Sequence, residues 1–530
     1  MARLRSLFKG IDLAWAASLL SWGPSAAITV GVLVGAAGAA SAASPADFIK
    51  NQQQAIALGK ALFWDSQSGG DGVTACATCH FSEGRDRRVT NTTNPGPDGV
   101  FAMTPPGGTV TAANFPVHSD DRLGSQGVVA AQFRRIVPGS AADDCQVTGS
   151  PVFGLNRQVT GRNTPSQFQA AVNIHNFWDG RANNVFNGSS PGGTADANAG
   201  IWLPGKRRGP LAKVRVAIEP ASQASQAVGP PNNGVEMSCA GRTFPELGRK
   251  MLSLGQPLAS QAVDPQDSVL ASLRDTLDGK GLAKSYAAMV RDAFQDRYWS
   301  ATTRVTLPAE NGATSYAFSQ MEANFSLFWG LAIQAYIETL VPHDTPYDRG
   351  ELSARQQAGF EVFTGSGRCE SCHRDVNPDD DFTAASRNSG GGGNAFTNSA
   401  VRPVAEDSGV QPEAIGEFKT PTVRNNLLSG PYFHNGEMLT LMQVVDFYDR
   451  GGDFRSDATD GQVRPLGLSE AEKVALVDFM ISLTDERAQI SAAPFDHPSL
   501  EVPNFGTVAA TGAAGGAPEG PYLGANPFAH

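Results

Sequence analysis

Apolar positions recur with helical spacing in only a few stretches of this 530-residue chain, and those stretches mark its skeleton. Residues 55–63 read as a helix, and Gly69, Gly70 and Gly72 break the pattern just beyond it. Met321, Phe325, Phe328, Ala332, Tyr336 and Leu340 recur every three or four positions, which predicts one long amphipathic helix packed on a core. The prolines at 342 and 346 stop it. Another helix is predicted over 353–363. A short one follows Thr440, which forms a capping box with Gln443 and is closed by Gly451 and Gly452. On this last helix Leu441, Val444, Val445 and Tyr448 share one face, so Tyr448 is expected to point inward.

The rest of the chain is aperiodic. Residues 81–161, rich in Gly, Pro, Thr, Asn and Asp, read as long ordered loops, and 183–222 as an insertion. Residues 386–400, with four consecutive glycines, read as a flexible loop. The Gly/Ala/Pro-rich stretch 501–530 reads as a flexible tail with no core pattern. At the other end, Arg3, Arg5 and Lys9 precede an apolar Ala/Gly-rich run and the pattern Ala40-Ser41-Ala42. That order predicts an export signal over residues 1–42, with an uncleaved anchor as the alternative. The long apolar helix carries Glu322, Asn324, Gln334 and Glu338, so no stable membrane span is expected after processing. A net charge of -11 does not supply the broad cationic face that nucleic acid demands, which excludes that partner class.

Six cysteines sort into two pairs and two singles. Cys76-Ala77-Thr78-Cys79-His80 and Cys369-Glu370-Ser371-Cys372-His373 both fit the signature of covalent c-type haem attachment. The spacing has a mechanical basis: two thiols reach the two vinyl groups of one porphyrin, and the adjacent histidine binds its iron. A redox dithiol or a zinc site would not explain a histidine after both pairs, and zinc wants its cysteine pairs much closer together. The helix, loop and cysteine-pair order thus occurs twice. Cys145 and Cys239 stand alone in the first half, and in an exported protein they are expected to form a disulfide. The predicted fold class is mainly α: two cytochrome c-like haem domains with long irregular loop insertions.

Further strings extend the pattern. Arg162-Asn163-Thr164-Pro165-Ser166, Phe177-Trp178-Asp179-Gly180-Arg181-Ala182, Phe418-Lys419-Thr420-Pro421-Thr422-Val423-Arg424-Asn425 and Pro431-Tyr432-Phe433-His434-Asn435-Gly436 follow one another in order. With both haem motifs, over roughly residues 55–485, the chain resembles the bacterial di-haem cytochrome c peroxidase and MauG superfamily. The resemblance implies a peroxide-reactive haem at His80 and an electron-relaying haem at His373. The residue pattern divides the chain into four units, a signal peptide (1–42), an N-terminal haem domain (43–345), a C-terminal haem domain (346–500) and the tail (501–530), and the resemblance implies a peroxidatic role for the second unit and an electron-transfer role for the third.

It also assigns roles. Val235-Glu236-Met237 matches the segment of the distal acid, and Gln226 lies ten positions before that acid in the string Gln226-Ala227-Val228-Gly229-Pro230. Splitting peroxide requires a proton to move between its oxygens, which a carboxylate can do. Glu236 is therefore the expected acid/base, Gln226 its hydrogen-bond partner, and Trp178 the indole between the haems. Asn163, with the carbonyls of Ser429 and Pro431, matches an inter-haem calcium site; Ser429 stands where threonine is frequent, a change to which a backbone ligand is indifferent. Counting 17 residues on from Pro431 reaches Tyr448, the residue type of MauG-like enzymes, where classical peroxidases have methionine. The alternative is a core tyrosine, with Met438 or Met442 as iron ligand. No histidine clearly matches the one that caps the resting first haem; His118 is the only histidine in that loop, and His175 is read as structural.

The implied activity is a hydrogen-peroxide-dependent oxidoreductase working in the periplasm with a small redox protein or an oxidisable substrate. MauG-like oxidation of a protein or organic substrate, a di-haem oxygenase and a non-catalytic electron carrier are the rivals. The two motifs predict two covalent haems per mature chain. A pyridine haemochrome assay after acid-acetone extraction is expected to return both, and fewer than two would refute the motif reading.

Overall fold

Polar side chains start the helices where the pattern of the chain says they should. Asn51 Oδ1 accepts from the amide of Gln54 to open α1 (Gln52–Trp64). α2 (Ser222–Ala227), α3 (Phe244–Ser253), α4 (Tyr286–Ala293), α5 (Gln320–Ala323) and α6 (Phe325–Ile337) complete the helices of the first half. In the second half, capping boxes at Ser353, Thr440 and Ser469 open α7 (Ala354–Thr364), α8 (Leu441–Asp449) and α9 (Glu470–Ile481). α10 (Glu486–Gln489) follows. This computed structural model describes residues 43–205, 209–308, 315–374, 376–389, 395–411 and 415–530. The expected export signal and residues 390–394 of the expected flexible loop lie outside the described residues; the loop's flanks are held, with Ser386 and Ala400 buried and Phe396–Thr397 paired with Phe418–Lys419.

The two halves share a packing device. A Cβ on Gly59 of α1 would lie 1.9 Å from the carbonyl oxygen of Ala332 on α6, and one on Gly359 of α7 would lie 1.9 Å from that of Ala475 on α9. Only glycine lets each pair of helix backbones approach so closely. In both halves the glycine-bearing helix leads to a 3-10 turn that carries the cysteines, Cys76–Cys79 and Cys369–Ser371. The first hydrophobic core is built on α1, α3, α4 and α6, and the second on α7, α8 and α9.

The predicted helix over 321–341 differs in two ways. It breaks at Asn324, whose side chain accepts from the amide of Trp202 and donates to the carbonyls of Trp202 and Tyr298. It is also buried on every side rather than amphipathic, because loops of the insertion cover the face expected to meet water. The aperiodic stretches hold hairpins instead of helices. Gln126–Val129 pairs with Arg157–Val159, Ala131–Arg135 with Asp144–Val147, and Ile201–Pro204 with Leu211–Val214, all antiparallel. Seven two-stranded ladders occur among the described residues. Helices thus form both cores, but most of the chain outside them is loop and hairpin, and mainly α describes the cores better than the whole.

The hairpin at 131–147 clamps the loop that carries Glu236. Phe133 donates to the carbonyl of Ala240, the amide of Ala240 donates to Ala131 at 2.9 Å, and Cys145 is disulfide-bonded to Cys239. The disulfide closes a 94-residue separation in sequence.

The last thirty residues are not a flexible tail. Leu500–Val502 pairs with Gly506–Val508, and Phe505 packs on Phe81 with ring centroids 4.6 Å apart. Glu519 pairs with Arg87 at 2.6 Å and accepts from the hydroxyl of Ser82. Tyr522 is 3% exposed and donates to the carbonyl of Arg88 at 2.9 Å. Farther on, the amide of Met442 donates to the carbonyl of Pro527, and Phe528 packs against the second core. Ala488, Phe495, Leu500 and Val502 belong to the first core, so the chain returns to that core before position 500. Sequence periodicity missed this strap because its contacts are single side chains reaching distant loops rather than one face of an element.

Truncating Tyr522→Ala removes a buried ring and its hydrogen bond, and is expected to cost about 3 kcal/mol. A thermal melt of the holoprotein should show a midpoint several degrees lower. An unchanged midpoint would mean that the strap contributes no stability.

Candidate haem centres

The first cavity opens where α1 ends. Thr78 Oγ1 accepts from the amide of Ala75 at 2.8 Å and fixes the turn on which Cys76 and Cys79 sit. The next residue, His80, has its Nδ1 2.7 Å from the carbonyl oxygen of Gly84, so the Nδ1–H is donated there and Nε2 is left with a lone pair. Burial lowers the His80 imidazole to about 4, which keeps it neutral, the form that binds a metal. Burial likewise pushes the Cys76 thiol up to about 12 and Cys79 to about 11. Neither is in a disulfide. Phe63, Ala227, Met237 and Ile333 supply an apolar wall.

Glu236 and Gln226 line the same cavity. The amide of Glu236 donates to Asn233 Oδ1 at 3.2 Å, which orients the turn. Burial raises the Glu236 carboxyl, and only Arg181 opposes the shift. Gln226 is 7% exposed, and its Oε1 is buried with no hydrogen-bond partner among the described residues. No hydrogen bond joins it to Glu236, so the structure brings the two to one cavity without the expected direct contact. The disulfide at Cys239 lies three residues from Glu236 and ties down that side of the wall. His118 is exposed and lines no described cavity, while His175 is held by the carbonyl of Gly180 at 3.0 Å.

The second cavity repeats the first. His373 Nδ1 lies 3.1 Å from the carbonyl of Pro421, and burial lowers this imidazole too to about 4. Burial pushes Cys369 up to about 12 and raises Cys372. Tyr448 on α8 lines the cavity and hydrogen-bonds Ser399; burial holds its phenol well above the usual range, and the nearby Cys372 and Cys369 add to that. Met438 and Met442 are packed in hydrophobic clusters and do not line it, whereas Met480 of α9 does. Lys419 is also in the wall, with desolvation lowering its ammonium to about 8.

Trp178 lines both cavities. Its indole Nε1 donates to the carbonyl of Asn163 at 2.8 Å, and its own carbonyl accepts from the amide of Lys419 at 2.7 Å. Beside it Arg162 forms ion pairs with Asp179 at 2.7 Å and Asp407 at 2.6 Å. Asp407 comes from the second half, so this network closes the first cavity with residues of both halves.

Residues 138–357 match the family described as di-haem cytochrome c peroxidase. Cytochrome-c peroxidase IdrP2 of Denitromonas iodatirespirans is 33% identical over 187 residues, covering 30% of this chain and 48% of that protein. Methylamine utilization protein MauG of Methylorubrum extorquens is 31% identical over 169 residues, 30% of this chain and 45% of that one. Over residues 138–357 this chain is similar to the di-haem cytochrome c peroxidase family. It spans about half the length of the curated relatives it matches. A solved MauG-like protein associated with microbial copper homeostasis aligns over 83% of this chain and 92% of its own, at 18% identity and a TM-score of 0.43.

The family implies haem c, and the residues present fit it. Each cavity offers two reduced thiols and a neutral imidazole with one nitrogen held by a carbonyl. In the first, the unpartnered Gln226 Oε1 awaits a donor from a bound molecule. The family's calcium ion fits less well. Arg85 Nη2 donates to Asn163 Oδ1 at 2.9 Å and to the carbonyl of Pro431 at 3.1 Å, and Asn163 Nδ2 donates to that same carbonyl at 2.9 Å. Two of the three groups expected to hold calcium are therefore taken up by a guanidinium. The third residue, Ser429, donates its hydroxyl to the carbonyl of Asn425 at 3.1 Å. Sequence reasoning missed Arg85 because it lies in a stretch with no period and no motif, five residues past a histidine.

Proposed function

We propose that this protein is an exported, periplasmic di-haem oxidoreductase that cleaves hydrogen peroxide at the cavity of His80 and exchanges electrons through the cavity of His373. The observation that carries this reading is one cavity wall holding His80, Glu236 and the unpartnered Gln226 together, with Trp178 shared by a second cavity that holds the other cysteine pair and His373. Two cavities that share a wall allow one to take the peroxide while the other passes electrons to it. No helix among the described residues is long and apolar enough to cross a membrane.

Haem, bound at each cysteine pair, supplies the redox-active iron. The chain's own residues handle protons and position. Glu236, with its carboxyl raised by burial, takes the proton from one peroxide oxygen and returns it to the other, which leaves as water. Gln226 Oε1 accepts a hydrogen bond from the substrate and holds it beside that carboxyl. Reduction of one peroxide to two waters takes two electrons and two protons, the electrons coming from a small redox protein or an oxidisable substrate. Trp178, in both walls and fixed by Asn163, shortens the electron path between the cavities.

A second reading, MauG-like oxidation of a protein or organic substrate, is favoured by Tyr448 in the second cavity. A tyrosine oxygen there is a hard donor that stabilises ferric and higher states, whereas a thioether would favour ferrous iron.

Stopped-flow mixing of the holoprotein with stoichiometric peroxide tests the first reading. Glu236→Gln is expected to keep both haems and slow peroxide cleavage by roughly 10²–10⁴. Because burial raises the Glu236 carboxyl, its ionised form is lost at higher pH than for an exposed glutamate, so the wild-type rate should fall as pH drops through that raised value. The fall should vanish in Glu236→Gln; unchanged kinetics in the variant would move the proton transfer elsewhere, and inertness of the wild type would leave an electron carrier or an oxygenase.

Tyr448→Phe tests the second reading. It should alter the optical and paramagnetic spectra of the second haem and raise its potential, leaving the first haem's spectrum in place. Identical spectra would make Tyr448 a core residue.

A further inference from the structure

Arg85 stands one position beyond Gly84, whose carbonyl fixes His80. Its guanidinium is buried and reaches from the first half of the chain to Pro431 in the second. The two oxygens it binds, Asn163 Oδ1 and the Pro431 carbonyl, are those on which the family resemblance expects a divalent cation. A guanidinium nitrogen at 2.9 Å and 3.1 Å from them leaves no room for an ion between them. Arg85 also lines the second cavity, and its Nε is buried without a hydrogen-bond partner among the described residues. That donor is left for a haem carboxylate, the planar anion a guanidinium fork suits best.

We infer that the guanidinium of Arg85 takes the place of an inter-haem calcium ion, so that the link between the two haem sites is part of the chain and does not depend on calcium. Through Asn163, whose carbonyl receives the Trp178 indole, Arg85 acts as a positioning residue for the path between the cavities. The inference rests on the di-haem reading above.

The test uses the purified holoprotein, with its haem content measured on the same sample. After treatment with a chelator and desalting, equilibrium dialysis against radioactive calcium is expected to find well under one ion per chain. The Tm and both haem spectra should be the same in calcium and in chelator. An ion held with micromolar Kd would instead raise the Tm by several degrees at about a thousandfold excess. One calcium per chain in a protein carrying two haems, lost to chelator with a change in the haem spectra, would overturn the inference and leave the di-haem reading standing. Fewer than two haems would defeat that reading first.

Arg85→Gln removes the charge while keeping a short amide, and Arg85→Lys keeps the charge without the fork. Arg85→Gln is expected to shift the potentials of the haems and the paramagnetic spectrum of the His80 haem, and to gain a Tm response to calcium. Arg85→Lys should recover part of the potential shift and stay insensitive to calcium. An Arg85→Gln protein that matches the wild type in potentials and in its indifference to calcium would show that Arg85 is not the cation of this site.

Discussion

An imidazole that is to hold iron must present one nitrogen and lose its freedom at the other, and both halves of this chain meet that requirement with a backbone carbonyl. Gly84 fixes His80 and Pro421 fixes His373. Everything around the two cavities follows from keeping those carbonyls in place. The turn bearing each cysteine pair hangs from a helix whose glycine lets a second helix lie against it, Gly59 on α6 and Gly359 on α9. A side chain at either glycine would push the helices apart and carry the cysteine turn with them. Downstream of His80, the segment that supplies Gly84 is held by Arg85 on Pro431, by Arg87 on Glu519 and by Arg88 on the hydroxyl of Tyr522. The orientation of the first imidazole is thus secured by residues more than 300 positions away in sequence.

What the amino-acid sequence made legible was local chemistry. The cysteine and histidine spacing, the Thr440 capping box with the helix behind it and the inward face of Tyr448 all depend on neighbours within one or two turns, and the structure has them where the pattern put them. The pairing of Cys145 with Cys239 followed from arithmetic on a small number of cysteines and is present. The illegible parts are those set by long-range contact. Asn324 breaks a helix whose periodicity is unbroken, because its side chain is needed by Trp202 and Tyr298. Residues 500–530 show no period, yet they form a hairpin and then a series of anchors reaching both cores. Gln226 and Glu236 share a cavity wall, as the family resemblance implied, but the direct hydrogen bond expected between them is not formed.

Charge explains why the wall between the cavities is built as it is. Arg162 is neutralised by Asp179 and Asp407, and Arg88 by Asp86, so these buried or half-buried cations keep their counter-ions within the chain. Arg85 and Lys419, which both line the second cavity, form no ion pair with a carboxylate among the described residues. A buried cation without an anion is costly. A haem brings its own carboxylates. Arg85 and Lys419 line a cavity with haem-attachment chemistry, where haem carboxylates would supply the anions that the polypeptide does not. The same wall carries Trp178, held on one side by Asn163 and on the other by the amide of Lys419. The indole is therefore tied to the Arg85 guanidinium through Asn163 and to the backbone of Lys419 through its own carbonyl, so both cationic residues join it within one hydrogen-bonded wall.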